Sequence, residues 1–215
     1  MLPTPGFHHL HLNATDPDAA VDWYVRRFAS NQRATWGGFP AVRAQTNVLM
    51  LFSKVDEPPK TSPQTAIWHF GWHVPDTQAT KERFLLETDV DLMPLYTGDG
   101  AGSVYVSSDT WPGTGGLLGR TLAQVAEARA AGEQPTRTGG FGYLYAPDGA
   151  FIEYAGNQPV ERFNHVHMWQ EQPYCAQLWY KEHLHAPLYG GRGMPEGLPS
   201  CVVERTPDQI GRAHV

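Results

Sequence analysis

Apolar and polar residues alternate from Phe7 to Ala14. Leu10, Leu12 and Ala14 fall on one face, and His9, His11 and Asn13 on the other, as in a strand with one side buried. Asp16-Pro17-Asp18 then supplies a side-chain acceptor for an N-cap and a proline at the first helical position. Ala20, Trp23, Tyr24 and Phe28 recur at helical spacing, which predicts a helix over 17–29. Strand patterning returns at 40–44 and strongly over Asn47–Phe52. The first unit therefore reads strand, helix, strands.

The segment Glu57-Pro58-Pro59-Lys60-Thr61-Ser62-Pro63 has the composition of a linker, and the pattern restarts after it. In Ile67–Val74, His69, Gly71 and His73 share one face, and Phe70, Trp72 and Val74 the other. Asp76 caps a predicted helix over 77–88, a strand is expected at Val90–Tyr96, and Phe141–Tyr145 pairs with Phe151–Ala155 as a hairpin. Its turn, Ala146-Pro147-Asp148-Gly149, has proline and glycine where such turns favour them. The glycine-rich insertion between Thr97 and Gly140 predicts a helix at 118–132 and reads as a partial lid or, equally, a passive surface excursion.

A third restart is the clearest internal repeat. Phe7–Tyr24 aligned with Phe163–Tyr180 gives seven identities in 18 positions without a gap, among them His9/His165, His11/His167 and Trp23-Tyr24/Trp179-Tyr180. About one match is expected by chance. The chain thus holds at least three openings of one structural unit, and the third is incomplete.

Composition fits a β-rich or an α+β protein. Gly and Pro together make 40 of 215 residues, and 41% of residues are hydrophobic, which suits turns and strands better than a helical bundle. A net charge of −6 gives no electrostatic reason to expect nucleic acid or an anionic membrane as partner. No run of about 18 apolar residues suggests a spanning helix, and no basic-then-apolar leader opens the chain. No disulfide framework can be read from Cys175 and Cys201, so a cytoplasmic location is the expectation. The unusual feature is ten histidines, several of them clustered.

His9 and His69 each stand seven residues before an N-cap aspartate, Asp16 and Asp76. Equivalent positions in repeated units packed about a pseudo-twofold axis would meet across a cavity. Glu153 lies in the last hairpin strand, opposite in face to Ile152 and Tyr154. Two neutral imidazoles and one carboxylate make a facial triad with open coordination positions, suited to Fe(II), Mn(II) or Zn(II).

His9-Leu10-His11-Leu12-Asn13-Ala14-Thr15-Asp16 followed by Trp23-Tyr24 resembles the opening module of the vicinal oxygen chelate superfamily. That group includes glyoxalase I, fosfomycin-resistance enzymes, type I extradiol dioxygenases and bleomycin-resistance proteins. His69–Asp76 resembles the start of its second module, and Pro147–Glu153 the closing hairpin that supplies a carboxylate. The resemblance covers 7–157 and restarts at 163. It implies paired βαβββ modules, 7–56 and 64–157 with the insertion 97–140, forming a cupped mixed sheet around a metal held by His9, His69 and Glu153. Residues 158–215 would be a partial third module or a dimer arm, which makes a homodimer possible. Asn47–Phe52 offers no second carboxylate, which implies three protein ligands rather than four.

Other assignments compete. His9 with His11 could form a strand pair on one metal, although His11 lining the pocket as an acid/base group is the first reading. His73, about 13 Å along the strand from His69, is a pocket residue, and Tyr143 a donor to a substrate oxygen. His165 and His167 read as a decayed copy without a following carboxylate. The implied partner is a small molecule with vicinal oxygens, the first guess a ring-cleaving dioxygenase reaction. A glyoxalase-like lyase or isomerase comes next, then a non-enzymatic ligand-binding protein. A cupin-like metal protein is weakened by the helix after each histidine strand.

Overall fold

The computed structural model describes residues 6–58, 67–93, 127–128, 130–133, 140–156, 158–170, 173–186 and 211–214. The first unit comprises β1 (His9–Ala14), α1 (Pro17–Arg27), β2 (Asn31–Trp36), β3 (Phe39–Ala44) and β4 (Leu49–Lys54). Its strands lie in the order β1-β4-β3-β2, with β1 parallel to β4 and the other pairs antiparallel. The second unit comprises β5 (Ile67–His73), α2 (Thr77–Leu85), β6 (Asp91–Met93), β7 (Phe141–Tyr145) and β8 (Phe151–Ala155). It repeats that order as β5-β8-β7-β6, again with first and last strands parallel. Both units are βαβββ modules.

The third module contributes β9 (Arg162–Gln170) and α3 (Pro173–Leu184). Strand β9 adds antiparallel to the edge of β5, and β10 (Gly211–His214) extends the sheet beyond it. The protein is therefore α+β, with paired modules and an incomplete third. Strand β2 was not expected, because Asn31–Trp36 carries an irregular polar pattern on an edge strand. Of the helix expected at 118–132, residues 127, 128 and 130 are helical, 131–132 form a turn, and the rest lie outside the described residues. Cys175 on α3 is disulfide-bonded. No helix among the described residues is long and apolar enough to cross a membrane.

Local chemistry accounts for the element starts. Asp16 accepts a hydrogen bond from the Ala19 N–H at 3.0 Å, and Asp76 does the same for Ala79 at 2.9 Å, each satisfying an otherwise orphaned helix donor. In the β7–β8 turn Asp148 and Gly149 adopt positive φ, 60° and 78°, which aspartate tolerates better than most residues. The Asp148 carboxylate accepts from the Thr15 backbone N–H at 3.0 Å and its hydroxyl at 2.7 Å. That pair of bonds ties the second module's turn to the end of β1.

One apolar cluster spans both sheets. Phe28 of the first module stacks on Trp72 of β5 with ring centroids 4.1 Å apart, and the Trp72 indole donates to Asn31 Oδ1 at 3.3 Å. The Trp23 indole donates to the Asp89 carbonyl at 3.0 Å, and buried Arg27 pairs with Glu87 at 2.7 Å and with Asp89. The first module therefore covers the face of β5 that carries Phe70 and Trp72, with Val74 just past its end. His69, Gly71 and His73 are left for the opposite face, and β9 reaches that face instead of β1. The modules that share a histidine face are the second and third, not the first and second.

Candidate metal centre

Strand register places the donors. Gly71 lies between Glu153 on β8 and His165 on β9, while His69 stands opposite His167 and Phe70 opposite Val166. His69 and His165 occupy equivalent positions in their modules, as do Gly71 and His167. The pairs 69/167 and 71/165 therefore exchange under a pseudo-twofold axis through the Phe70–Val166 pair. The axis expected from the repeat exists, one module further along the chain.

One nitrogen of each imidazole and one Glu153 oxygen all lie within 4.8 Å of one another. His69 Nε2 is 2.6 Å from His167 Nδ1, 3.3 Å from His165 Nε2 and 2.9 Å from Glu153 Oε2. Glu153 Oε2 is also 3.0 Å from His165 Nε2 and 4.0 Å from His167 Nδ1. The His69 side chain has no exposed surface and the Glu153 side chain only 12%. A single proton on His69 Nε2 can bridge to one of these three neighbours, whereas a cation satisfies all of them. Donors at about 2.1 Å from one ion stand roughly 3–3.5 Å from each other, which the observed spacings bracket. The residues fit a divalent metal.

His165 is already oriented for that task. Its Nδ1 lies 2.7 Å from Asn164 Oδ1; as the amide oxygen can only accept, Nδ1 carries a proton, and Nε2 faces the cluster, donating to Glu153 when the metal-free ring is doubly protonated and offering its lone pair when a cation is bound. Asn164→Ala removes this constraint, and isothermal titration with Zn(II) should show about tenfold weaker binding, in the range for partners that orient metal ligands. Unchanged affinity would mean that the Asn164 contact does not set the tautomer.

The surroundings are aromatic. Trp68 lies with its ring centroid 4.3 Å from that of His69, Tyr143 approaches His69 edge-on at 5.2 Å, and Phe151 does so at 6.0 Å. Burial pushes the Glu153 carboxyl upward, but hydrogen bonds from His165 and His69, together with their charge, hold it well below the usual carboxylate range. Burial lowers the His73 imidazole, with Arg162 and His165 acting the same way and Glu153 opposing them. His73 thus stays neutral at neutral pH.

Of the three expected ligands, His69 and Glu153 are brought together and His9 is not. His9 is exposed on β1, 2.9 Å by Nδ1 from His8 Nδ1 and stacked on Trp36; packing across α1 holds its sheet behind β5. His11, also on β1, bonds by Nε2 to Ser53 Oγ at 2.7 Å and meets Phe39 edge-on. Tyr143 pairs with Glu153 across β7–β8, and His73 ends β5 opposite Ala155 and Arg162. His165 and His167, read from sequence as a decayed copy, supply two of the four donors. Their signal was present in the repeat itself, since His165 aligns with His9 and His167 with His11.

No protein-family model and no curated protein matches the chain. Solved structures similar to it include a possible glyoxalase from Bacillus cereus, 17% identical, over 70% of this chain and 98% of that one, TM-score 0.38. Two oxidases, ChaP-H1 and ChaP-H2, are similar at 16% and 12% identity, over 70% and 71% of this chain and 94% and 93% of theirs, TM-scores 0.38 and 0.34. The strand order of the modules, paired through their first strands around a His/Glu cluster, decides the architecture. This is the paired βαβββ architecture that the vicinal oxygen chelate resemblance implies. Within it the four donors come from the first and last strands of the second module and the first strand of the third.

Proposed function

We propose that the chain is a metal-dependent enzyme that binds a small substrate through two adjacent oxygens at an ion held by His69, Glu153, His165 and His167. The convergence of three imidazole nitrogens and one carboxylate oxygen within 4.8 Å supports this reading most. His69, Glu153, His165 and His167 would hold the ion, the imidazoles suiting Fe(II) or Zn(II) and the carboxylate being the donor type that suits Mn(II), and an ion that accepts six donors would keep two for a chelating substrate. When bound, the ion supplies Lewis acidity toward the substrate oxygens. The protein's own groups do the rest. Trp68, Phe151 and Tyr143 wall the donors with apolar surface and limit water, and neutral His73 is the candidate to take or return a substrate proton.

The proposed reaction is oxidative ring cleavage of a catechol-type diol, with glyoxalase-like lyase or isomerase chemistry as the alternative on the same donors. Protein loaded anaerobically with Fe(II), Mn(II) or Zn(II) is assayed for oxygen uptake with catechols and for turnover of a hemithioacetal. One equivalent of bound metal with one O2 consumed per ring supports the dioxygenase reading. Hemithioacetal turnover without oxygen uptake selects the alternative. Protein that binds no metal stoichiometrically overturns both.

A further inference from the structure

The strand register carries the donor face one row beyond the metal centre. Tyr143, Glu153, Gly71 and His165 lie side by side across β7, β8, β5 and β9, and the next row on that face is Phe141, Ala155, His73 and Arg162. The rows stand about 7 Å apart, two residues of strand. A bulge leaves Asn164 out of the pairing, and Phe163 turns to the core beside Trp72, with ring centroids 5.3 Å apart, so Arg162 returns to the donor face. Ala155 is the small residue of this second row, between Phe141 and His73, and leaves room over β8 for a flat ring. His165 is the most exposed of the four donors, with 16% of its side chain open, so the centre opens on the side where Arg162 stands.

Arg162 is exposed, and its guanidinium makes no ion pair or hydrogen bond among the described residues. The other five arginines whose side chains are described each engage a carboxylate or, for Arg43, a glutamine carbonyl. The charged groups that act on His73 are Arg162, His165 and Glu153, so no further carboxylate offsets Arg162 there. A fixed cation beside a cation-binding centre is unfavourable by itself, and an anion that meets both reverses the sign. We propose that the substrate of the metal centre carries a carboxylate, which Arg162 binds while the two adjacent oxygens sit on the ion. This rests on the metal-dependent reading and names its substrate class: a ring diol with a carboxylate on the side away from its two oxygens. Arg162 stands one row from the donors, a span that a single six-membered ring with its carboxylate bridges. The charges also close. Glu153 and a singly ionised diol balance the dication, and the carboxylate balances the guanidinium, whose planar fork matches it with two hydrogen bonds.

Zn(II), which undergoes no redox change, is loaded into wild type, Arg162→Gln and Arg162→Lys, and metal content is measured first. The acid 3,4-dihydroxybenzoate and its neutral methyl ester, which share ring and diol, are then titrated anaerobically by calorimetry. The ester-to-acid ratio of dissociation constants should fall about tenfold from wild type to Arg162→Gln, the lower end for a hydrogen bond to a charged group. Arg162→Lys keeps the charge without the fork and should retain part of the ratio. The wild-type ratio should also shrink as salt rises, because the pair is exposed. Before diol is added, Arg162→Gln should bind Zn(II) no more weakly than wild type, since the substitution removes a like charge. Loaded wild type that binds neither compound, an unchanged ratio in Arg162→Gln, or weakened Zn(II) binding by that variant overturns this proposal and leaves the metal centre standing. Wild type that takes up no Zn(II) overturns the metal reading, and this proposal with it.

Discussion

Glu153→Gln should leave the protein folded and reduce its affinity for Fe(II), Mn(II) or Zn(II) by ~100-fold or more, the upper end of what losing a mere ligand-orienting partner costs. Glutamine keeps the shape and one carbonyl oxygen but removes the only negative charge among the four donors, leaving three neutral imidazoles around a dication. Elemental analysis after dialysis against a defined free-metal buffer reads the effect directly. Equal metal content in wild type and variant would remove Glu153 from the centre. The same substitution predicts a change in acid stability of the metal-free protein. The Glu153 carboxyl is held well below its ordinary value by His165 and His69 against the upward push of burial. A depressed carboxyl contributes stability that is present above its unfolded pKa of about 4.3 and is lost as pH falls through the folded value. Wild type should therefore lose stability on acidification below about pH 4 more steeply than Glu153→Gln. Parallel Tm-against-pH curves would show that the imidazole contacts do not hold the carboxyl.

The elements that build this centre were legible where period and capping agreed. Alternation in Phe7–Ala14 and Ile67–Val74, the aspartate caps at 16 and 76, and the Pro147-Asp148-Gly149 turn all act within a few residues, and the structure has strands, helices and hairpin at those places. His69 and Glu153 were likewise readable as inward-facing residues of first and last strands. Partner choice was not. β1, β5 and β9 open the same unit with nearly the same pattern, and a sequence period does not say which two open edges meet. That is decided by burial on the other face. Tyr24 of α1 and Phe28, its C-cap, pack on Trp72 and Phe70 of β5, so the first module is spent covering the back of the second sheet. Only β9 remains to flank its histidine face. The count of ligands changed for the same reason: the first strand of the third module carries histidine at both inward positions, and both face His69.

Gly71→Ala should weaken metal binding nearly as much as deleting His165, although Gly71 donates nothing. A Cβ at this position would stand 2.6 Å from His165 Cε1, 3.0 Å from its Nε2 and 2.8 Å from the Glu153 carbonyl oxygen. The first two contacts could be relieved by swinging the imidazole away, which takes Nε2 out of the cluster. The third is to backbone in the adjacent parallel strand and requires β5 and β8 to separate, which shifts Glu153. Either relaxation moves a donor by more than the few tenths of an ångström that metal coordination tolerates. Overpacking of this kind also costs about 1–3 kcal/mol of stability. His165→Ala separates the two effects, because it deletes the donor and relieves crowding instead of adding it. Metal titration and thermal melts on both variants should show comparable loss of affinity, with a fall in metal-free Tm for Gly71→Ala alone. If Gly71→Ala binds metal as wild type does, the His165 ring does not occupy the space that glycine leaves, and the centre reduces to His69, His167 and Glu153. This position is where the second module departs from its copies, with glycine in place of His11 and His167. An imidazole there would fill the space in which His165 now meets Glu153, so the departure from the repeat is what admits the third module's histidine.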